Sequence, residues 1–304
     1  MRRSIIFTAL LSLMLLLLGR ARETAELTRE ALRLCASSVI PALFPLMVLS
    51  SLFVALGCAQ VLRRPLSPFI RRLFRCSGTG GTAFFLGLLG GYPLGARTVG
   101  DLFRAGEIPL PEAQRLLTFC NNAGPAFIIS VAGLHCFGDE RAGVALYLIH
   151  VLSAVMTGML CCRFSVPVSP RCTESVPVRR QISKHPAAAA VECIGGAGIT
   201  AIQITAFVTF FRVLLQSVHT LTHLRHPLLL GFVELTCGIV ELGGTGPDFI
   251  MVAALLGWGG LSVHCQTAAV LDGTGLSLRP YLAAKFLHAL LSAALAALTV
   301  LCFS

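Results

Sequence analysis

Gly90-Gly91-Tyr92-Pro93-Leu94-Gly95-Ala96-Arg97 closes an apolar run that begins at Thr82. Three glycines and a proline within six positions predict a broken helix, because Gly tolerates positive φ and Pro lacks a donor and fixes its own φ. Irregular backbone at membrane depth is tolerated only where it is buried in protein or lines a watery cavity. The stretch therefore reads as a re-entrant hairpin over about 82–104, its backbone N–H groups offered to a solute. The competing reading is a close helix–helix contact through small residues.

Composition supports membrane depth. The chain has 304 residues, 55% of them hydrophobic and 12% charged, with a mean hydropathy of +0.81. Soluble domains carry about 25% charge. An all-α polytopic membrane protein follows, with room for roughly seven to nine spans of about 20 residues. The net charge of +10 is local, gathered at 63–75 and 163–185. This is the mark of cytoplasmic loops rather than of a nucleic-acid-binding module. The twelve cysteines are scattered through apolar segments without a C-x-x-C pair, which points to packing rather than to disulfides or zinc. No G-x-S-x-G, H-E-x-x-H or Walker pattern is present, so the chain is not read as an enzyme and no cofactor or metal is expected.

Along the chain, residues 1–28 read as an N-terminal transmembrane anchor, signal-like but uncleaved. The first repeat covers 29–164. It contains a span kinked by Pro41 and Pro45, a basic interfacial helix at 60–76 and the hairpin. A short helix then stops at Asn121-Asn122-Ala123-Gly124-Pro125. Residues 165–188 are a basic cytoplasmic linker, and the second repeat, 189–304, holds a second hairpin at about 249–272.

The pairing of the repeats rests on Leu89–Thr98 against Trp258–Thr267, at a constant offset of 169. With basic segments on one side, the two repeats are expected to be inverted. Interrupted segments at matching positions of inverted halves point to a transporter site.

The candidate solute-binding residues follow from these breaks. Gly91, Tyr92, Pro93, Gly95 and Arg97 belong to the first hairpin; Gly260, Ser262, His264 and Gln266 belong to the second. Arg97 reads either as a counter-ion for an anionic solute or as a snorkelling end of the hairpin. Asn121 and Asn122 face a solute from an unwound helix, or cap it. Glu234 and Glu241 share a face if 227–242 is one helix. They bind a coupling proton or Na⁺, or pair with a buried arginine such as Arg212. His135, His150 and His288 read as packing or interfacial residues.

Three motifs also carry a family resemblance: Gly91–Arg97, Glu112-Ala113-Gln114-Arg115-Leu116-Leu117, and Phe119-Cys120-Asn121-Asn122-Ala123-Gly124-Pro125. Together with Gly259–Gln266 and Arg279-Pro280-Tyr281-Leu282, they resemble the YlbJ-type sporulation integral membrane proteins over about residues 30–304. That family is grouped with nucleoside-recognition (Gate-domain) proteins. The resemblance implies an architecture like that of concentrative nucleoside transporters, placed in the mother-cell-derived membrane around the forespore. It also implies movement of dipicolinate, an aromatic dianion, from the mother cell toward the forespore. Arg97 and the amides of Asn121 and Asn122 would then meet its carboxylates, with Tyr92 or Trp258 beside the ring. The expected partners are this anionic solute, a coupling proton or sodium ion, the bilayer and, in an oligomer, further copies. A nucleoside or other small-anion transporter, and a structural factor in spore-envelope assembly, are the alternatives.

Overall fold

The computed structural model describes residues 2–164, 186–222 and 226–303. Most of the basic linker, 165–185, lies outside the described residues. Everything regular among the described residues is helical. In order the helices are α1 (Arg2–Gly19), α2 (Ala21–Leu34), α3 (Ile40–Ala55), α4 (Ala59–Phe74), α5 (Gly78–Gly90), α6 (Leu94–Arg104) and α7 (Leu110–Cys120). Next come α8 (Pro125–Phe127), continued by a π-helical stretch Ile128–Cys136, then α9 (Glu140–Phe164) and α10 (Pro186–Thr222). The chain ends with α11 (Pro227–Val233), α12 (Leu235–Ile239), α13 (Gly246–Trp258), α14 (Leu261–Val270) and α15 (Leu278–Phe303). Five segments among the described residues are long and apolar enough to cross a membrane, six with α1 and α2, which meet at 92°. The protein is a multi-pass membrane protein. It has fewer spans than its apolar content allows, because two apolar stretches turn back on themselves.

The first of these is α5–α6. Ser77 Oγ accepts from Gly80 N at 3.0 Å to cap α5, and Glu112 Oε1 takes the Ser77 N–H at 2.6 Å. Both contacts tie the start of α5 to the start of α7. Gly91 at φ 79° then reverses the chain, and α6 returns with Gly87 facing Gly95. A Cβ on Gly87 or on Gly95 would run into the Cys120 carbonyl, so the hairpin lies directly on the end of α7. Its two ends share one face of the molecule with α4, whose Arg63, Arg64, Arg71 and Arg72 are exposed while Ile70 and Phe74 are buried. This is the basic face.

The second fold-back is α11–α12, not 249–272. A Cβ on Gly238 would strike the Gly231 backbone and the Pro227 carbonyl, so these two short helices form a V. Glu234 stands at its apex and caps α12 by accepting from Cys237 N at 2.8 Å. Glu234 and Glu241 therefore do not share a helix: the helix breaks at Glu234, and Glu241 lies in the turn after α12.

The expected second hairpin is instead a broken span. α13 starts beside Cys136 and Val300, with Phe249 5.7 Å from Phe137. α14 ends where Arg104 donates to the carbonyls of Val270 (2.9 Å) and Asp272 (3.0 Å). These two neighbourhoods lie at opposite ends of α7–α8 and its π-helical continuation, so 246–270 crosses from the far face to the basic face. The offset of 169 matched a hairpin to a broken span, because both need paired glycines at a break.

From the far face, α2–α3 descend to the basic face; α5–α6 enter and leave there; α7–α8 cross with a break at 121–124; α9 returns. From the basic face, α10 rises; α11–α12 enter and leave at the far face; α13–α14 cross with a break at Gly259–Gly260; α15 returns. Arg97 on Thr200, in the first half of α10, and Arg20 on Thr220, at its C-terminal end, fix its direction. At 37 residues α10 is roughly 55 Å long, more than the hydrocarbon needs.

Candidate functional site

Each re-entrant apex packs on the break of a crossing segment. A Cβ on Gly91 would lie 2.8 Å from Gly124 N; one on Gly260, at φ 88°, would lie 3.0 Å from Leu235 N and 3.3 Å from the carbonyls of Gly231 and Val233. Glycine at both places admits the positive φ and the backbone contact together. The two assemblies touch through Tyr92, whose ring lies 3.2 Å from where a Gly259 Cβ would stand and whose hydroxyl donates to Leu256 O at 2.9 Å.

α15 brings a polar stripe to this junction. Tyr281, Lys285, His288 and Ser292 follow one another by four, three and four residues, so they share one helix face, and all four are buried. Lys285 Nζ donates to Tyr92 OH at 3.0 Å and to Asn121 O at 3.2 Å, and lies 3.1 Å from His288 Nδ1. It also stands 5.0 Å from the centroid of the Tyr92 ring. Among the described residues no carboxylate lies within ion-pair distance of Lys285. Buried ions ordinarily have a counter-charge, and intramembrane ionisable groups mark function.

Asn121 is the hub of the remaining contacts. Its Nδ2 donates to Thr267 Oγ1 (2.8 Å) and Tyr281 OH (3.1 Å), and its Oδ1 accepts weakly from Ala96 N at 3.4 Å. Tyr281 OH is also 3.0 Å from His264 Nδ1. Three elements, α6, α14 and α15, thus converge on one residue of the break. On the other side, His288 Nε2 reaches His150 O at 3.1 Å, and Ala123 N donates to His150 Nε2 at 3.1 Å.

The other sequence candidates are placed as follows. Pro93 is buried at the start of α6, and Gly95 rests on the Cys120 carbonyl. Arg97 turns away from the junction, donating to Gly196 O (3.1 Å) and to Thr200 Oγ1 on α10, with Asp101 3.8 Å away. Asn122 Nδ2 donates to Phe119 O at 2.8 Å. Ser262 accepts from Gln266 Nε2 at 3.2 Å, one turn apart on α14. Trp258 stacks on Phe232 with centroids 4.7 Å apart and donates to its carbonyl at 2.9 Å. Arg212, the suggested partner of the glutamates, lies 3.7 Å from Glu30 and also interacts electrostatically with Glu234. Arg212 and Glu241 also line a cavity of about 360 Å³ between α10 and the α11–α12 hairpin. Among the described residues no group of three His, Cys, Asp or Glu side chains is arranged for a metal ion.

Sequence reasoning missed Lys285, Tyr281 and Thr267, and read His150 and His288 as packing. The spacing of Tyr281, Lys285, His288 and Ser292 inside an apolar run was the available signal.

Two fold-backs and two broken crossing segments among the described residues, together with the apolar helices long enough to span a membrane, define an all-helical polytopic membrane protein. The chain is 25% identical over 315 aligned positions to the sporulation integral membrane protein YlbJ of Bacillus subtilis (strain 168), covering 91% of this chain and 77% of that protein. This similarity supports assignment to the YlbJ type. No family model matches the chain, and no solved structure does.

Proposed function

We propose that this protein is a secondary transporter of the sporulation membrane that moves a small aromatic dianion, dipicolinate, from the mother cell toward the forespore. One observation carries the reading: each re-entrant apex packs on the break of a crossing segment, Gly91 on Gly124 and Gly260 on Leu235. Such breaks at matched positions of inverted halves are where transporters hold their solute and where one half moves against the other. The similarity to YlbJ supports the sporulation setting. The exposed arginines of α4 support a cytoplasmic basic face, from which the solute would enter. The domain division follows: an anchor at 1–28, repeats on either side of a basic linker, and coupling by a proton or Na⁺ in which Glu234 and Glu241 are the carboxylates to test.

Uptake of labelled dipicolinate and of nucleosides into proteoliposomes, with and without proton and sodium gradients, tests it. Gradient-dependent dipicolinate uptake is expected. Nucleoside uptake without dipicolinate uptake replaces the solute. Uptake of neither, with spores unaffected by polar-to-apolar changes at both apices, leaves a structural role in envelope assembly.

A further inference from the structure

We propose that the Lys285–His288 pair is the fixed positive charge that binds the carboxylate of a planar aromatic anion, and that Tyr92 and Asn121 occupy this charge when no anion does. The charge follows from hydrogen-bond bookkeeping. Tyr92 OH gives its hydrogen to Leu256 O, so it accepts from Lys285. Asn121 O is a carbonyl and also accepts. His288 Nε2 faces the His150 carbonyl and must carry a hydrogen. A neutral His288 then leaves Nδ1 as a third acceptor, and three donations require an ammonium, since an amine has two hydrogens. If His288 carries both hydrogens instead, it is the cation and Lys285 accepts. With the Tyr92 hydrogen on Leu256 O, both arrangements give the pair one positive charge, buried to within 2% of full exclusion.

Donors exceed acceptors around it. His150 uses Nε2 as acceptor for Ala123 N–H, so Nδ1 carries its hydrogen, and that atom is buried with no hydrogen-bond partner. With Tyr281 OH donating to His264 Nδ1, His264 Nε2 is a second buried donor without one. A single buried acceptor, Asn122 Oδ1, stands against them. One positive charge and two unpartnered N–H groups, with no carboxylate among the described residues in ion-pair distance of Lys285, select an anion. The flanking groups are rings: Tyr92, His264, Tyr281 and, perpendicular to His264 at 4.4 Å, Trp258. Rings on several sides favour a flat aromatic acid over a sugar or an amino acid.

The arrangement makes binding competitive within the protein. A carboxylate reaching Lys285 displaces Tyr92 OH or Asn121 O, and so frees the α5–α6 apex from α15. Anion arrival at the charge and release of the hairpin on the basic face are one event.

The assignment rests on the transporter reading for its solute, and the test separates the two. Purified full-length protein in detergent is titrated with dipicolinate and with the neutral pyridine-2,6-dicarboxamide, reading the melting temperature and Kd. The wild type is expected to respond to the acid and not to the amide. Lys285→Met is expected to weaken dipicolinate binding by about tenfold or more, and Lys285→Arg to retain part of it. Tyr92→Phe removes a competitor and is expected to tighten binding, a readout that stands if Lys285→Met does not fold. Equal response to acid and amide, a Lys285→Met affinity within twofold of wild type, or weaker binding by Tyr92→Phe overturns the proposal. Dipicolinate uptake by Lys285→Met at the wild-type KM removes the binding charge and leaves the transporter. Selective binding without uptake does the reverse.

Discussion

His150 on α9 and His288 on α15 face each other with ring centroids 4.6 Å apart. Ser153 and Ser292 repeat the relationship a turn further on, Oγ to Oγ at 2.7 Å. α9 and α15 therefore meet through paired histidines and paired serines, beside Lys285.

The topology makes a direct prediction. In a background without native cysteines, Arg72→Cys and Leu110→Cys are expected to label from the same side of the membrane with an impermeant thiol reagent. Pro247→Cys and Asp272→Cys are expected to label from opposite sides, because α13–α14 crosses. All four native positions are exposed. Same-side labelling of 247 and 272 would restore a hairpin there and dismantle the proposed pairing of the halves.

Gly91→Ala places a methyl against Gly124 at a left-handed φ. The expected cost is about 1–3 kcal/mol of strain, read as a lowered Tm in detergent. Gly124→Ala presses on the same contact from the other side, where a Cβ would lie 3.1 Å from Gly91. The double variant is expected to lose less than the sum of the singles, since both disturb one interface. Full additivity would mean that the two glycines do not share it.

Arg97→Ala is expected to lower dipicolinate accumulation in spores without removing the protein from the membrane. The structure routes this effect through α10, where Arg97 meets Gly196 O and Thr200. Thr200→Val should then shift accumulation in the same direction by a smaller amount. Normal accumulation in Arg97→Ala discards its role in transport; a defect in Arg97→Ala with none in Thr200→Val points to contact with the solute itself.

Glu234 caps α12 and is buried. Glu234→Ala is expected to cost about 1 kcal/mol through loss of the cap. Glu234→Gln keeps an acceptor oxygen and separates two roles. If it supports uptake with the wild-type dependence on the ion gradient, the carboxylate is a cap; if uptake becomes independent of the gradient, it carries the coupling ion.

The breaks at Gly90–Arg97 and Asn121–Pro125 were legible because Gly and Pro interrupt long apolar runs there. The α11–α12 hairpin was not. Its helices have 7 and 5 residues, its apex is a glutamate without proline or paired glycines, and 227–242 looks like one apolar stretch. Gly259-Gly260 is the better-marked break, so from sequence it reads as the hairpin. Asn121 was readable as a polar group in a broken helix, yet its partners Thr267, Tyr281 and Lys285 lie far along the chain, and no local pattern pairs them. Lys285 was readable as the lone cation of the last apolar run, on one stripe with Tyr281 and His288.

The two fold-backs differ in size. α5 and α6 have 13 and 11 residues, whereas α11 and α12 have 7 and 5. At a rise of 1.5 Å per residue, one plug is roughly 16–20 Å deep and the other roughly 8–10 Å. The thinner plug has less packed surface to separate, so the barrier to opening is lower on the far face than on the basic face. The two faces of the molecule are therefore sealed unequally, deeply on the basic face and shallowly on the far face, by the unequal lengths of four helices.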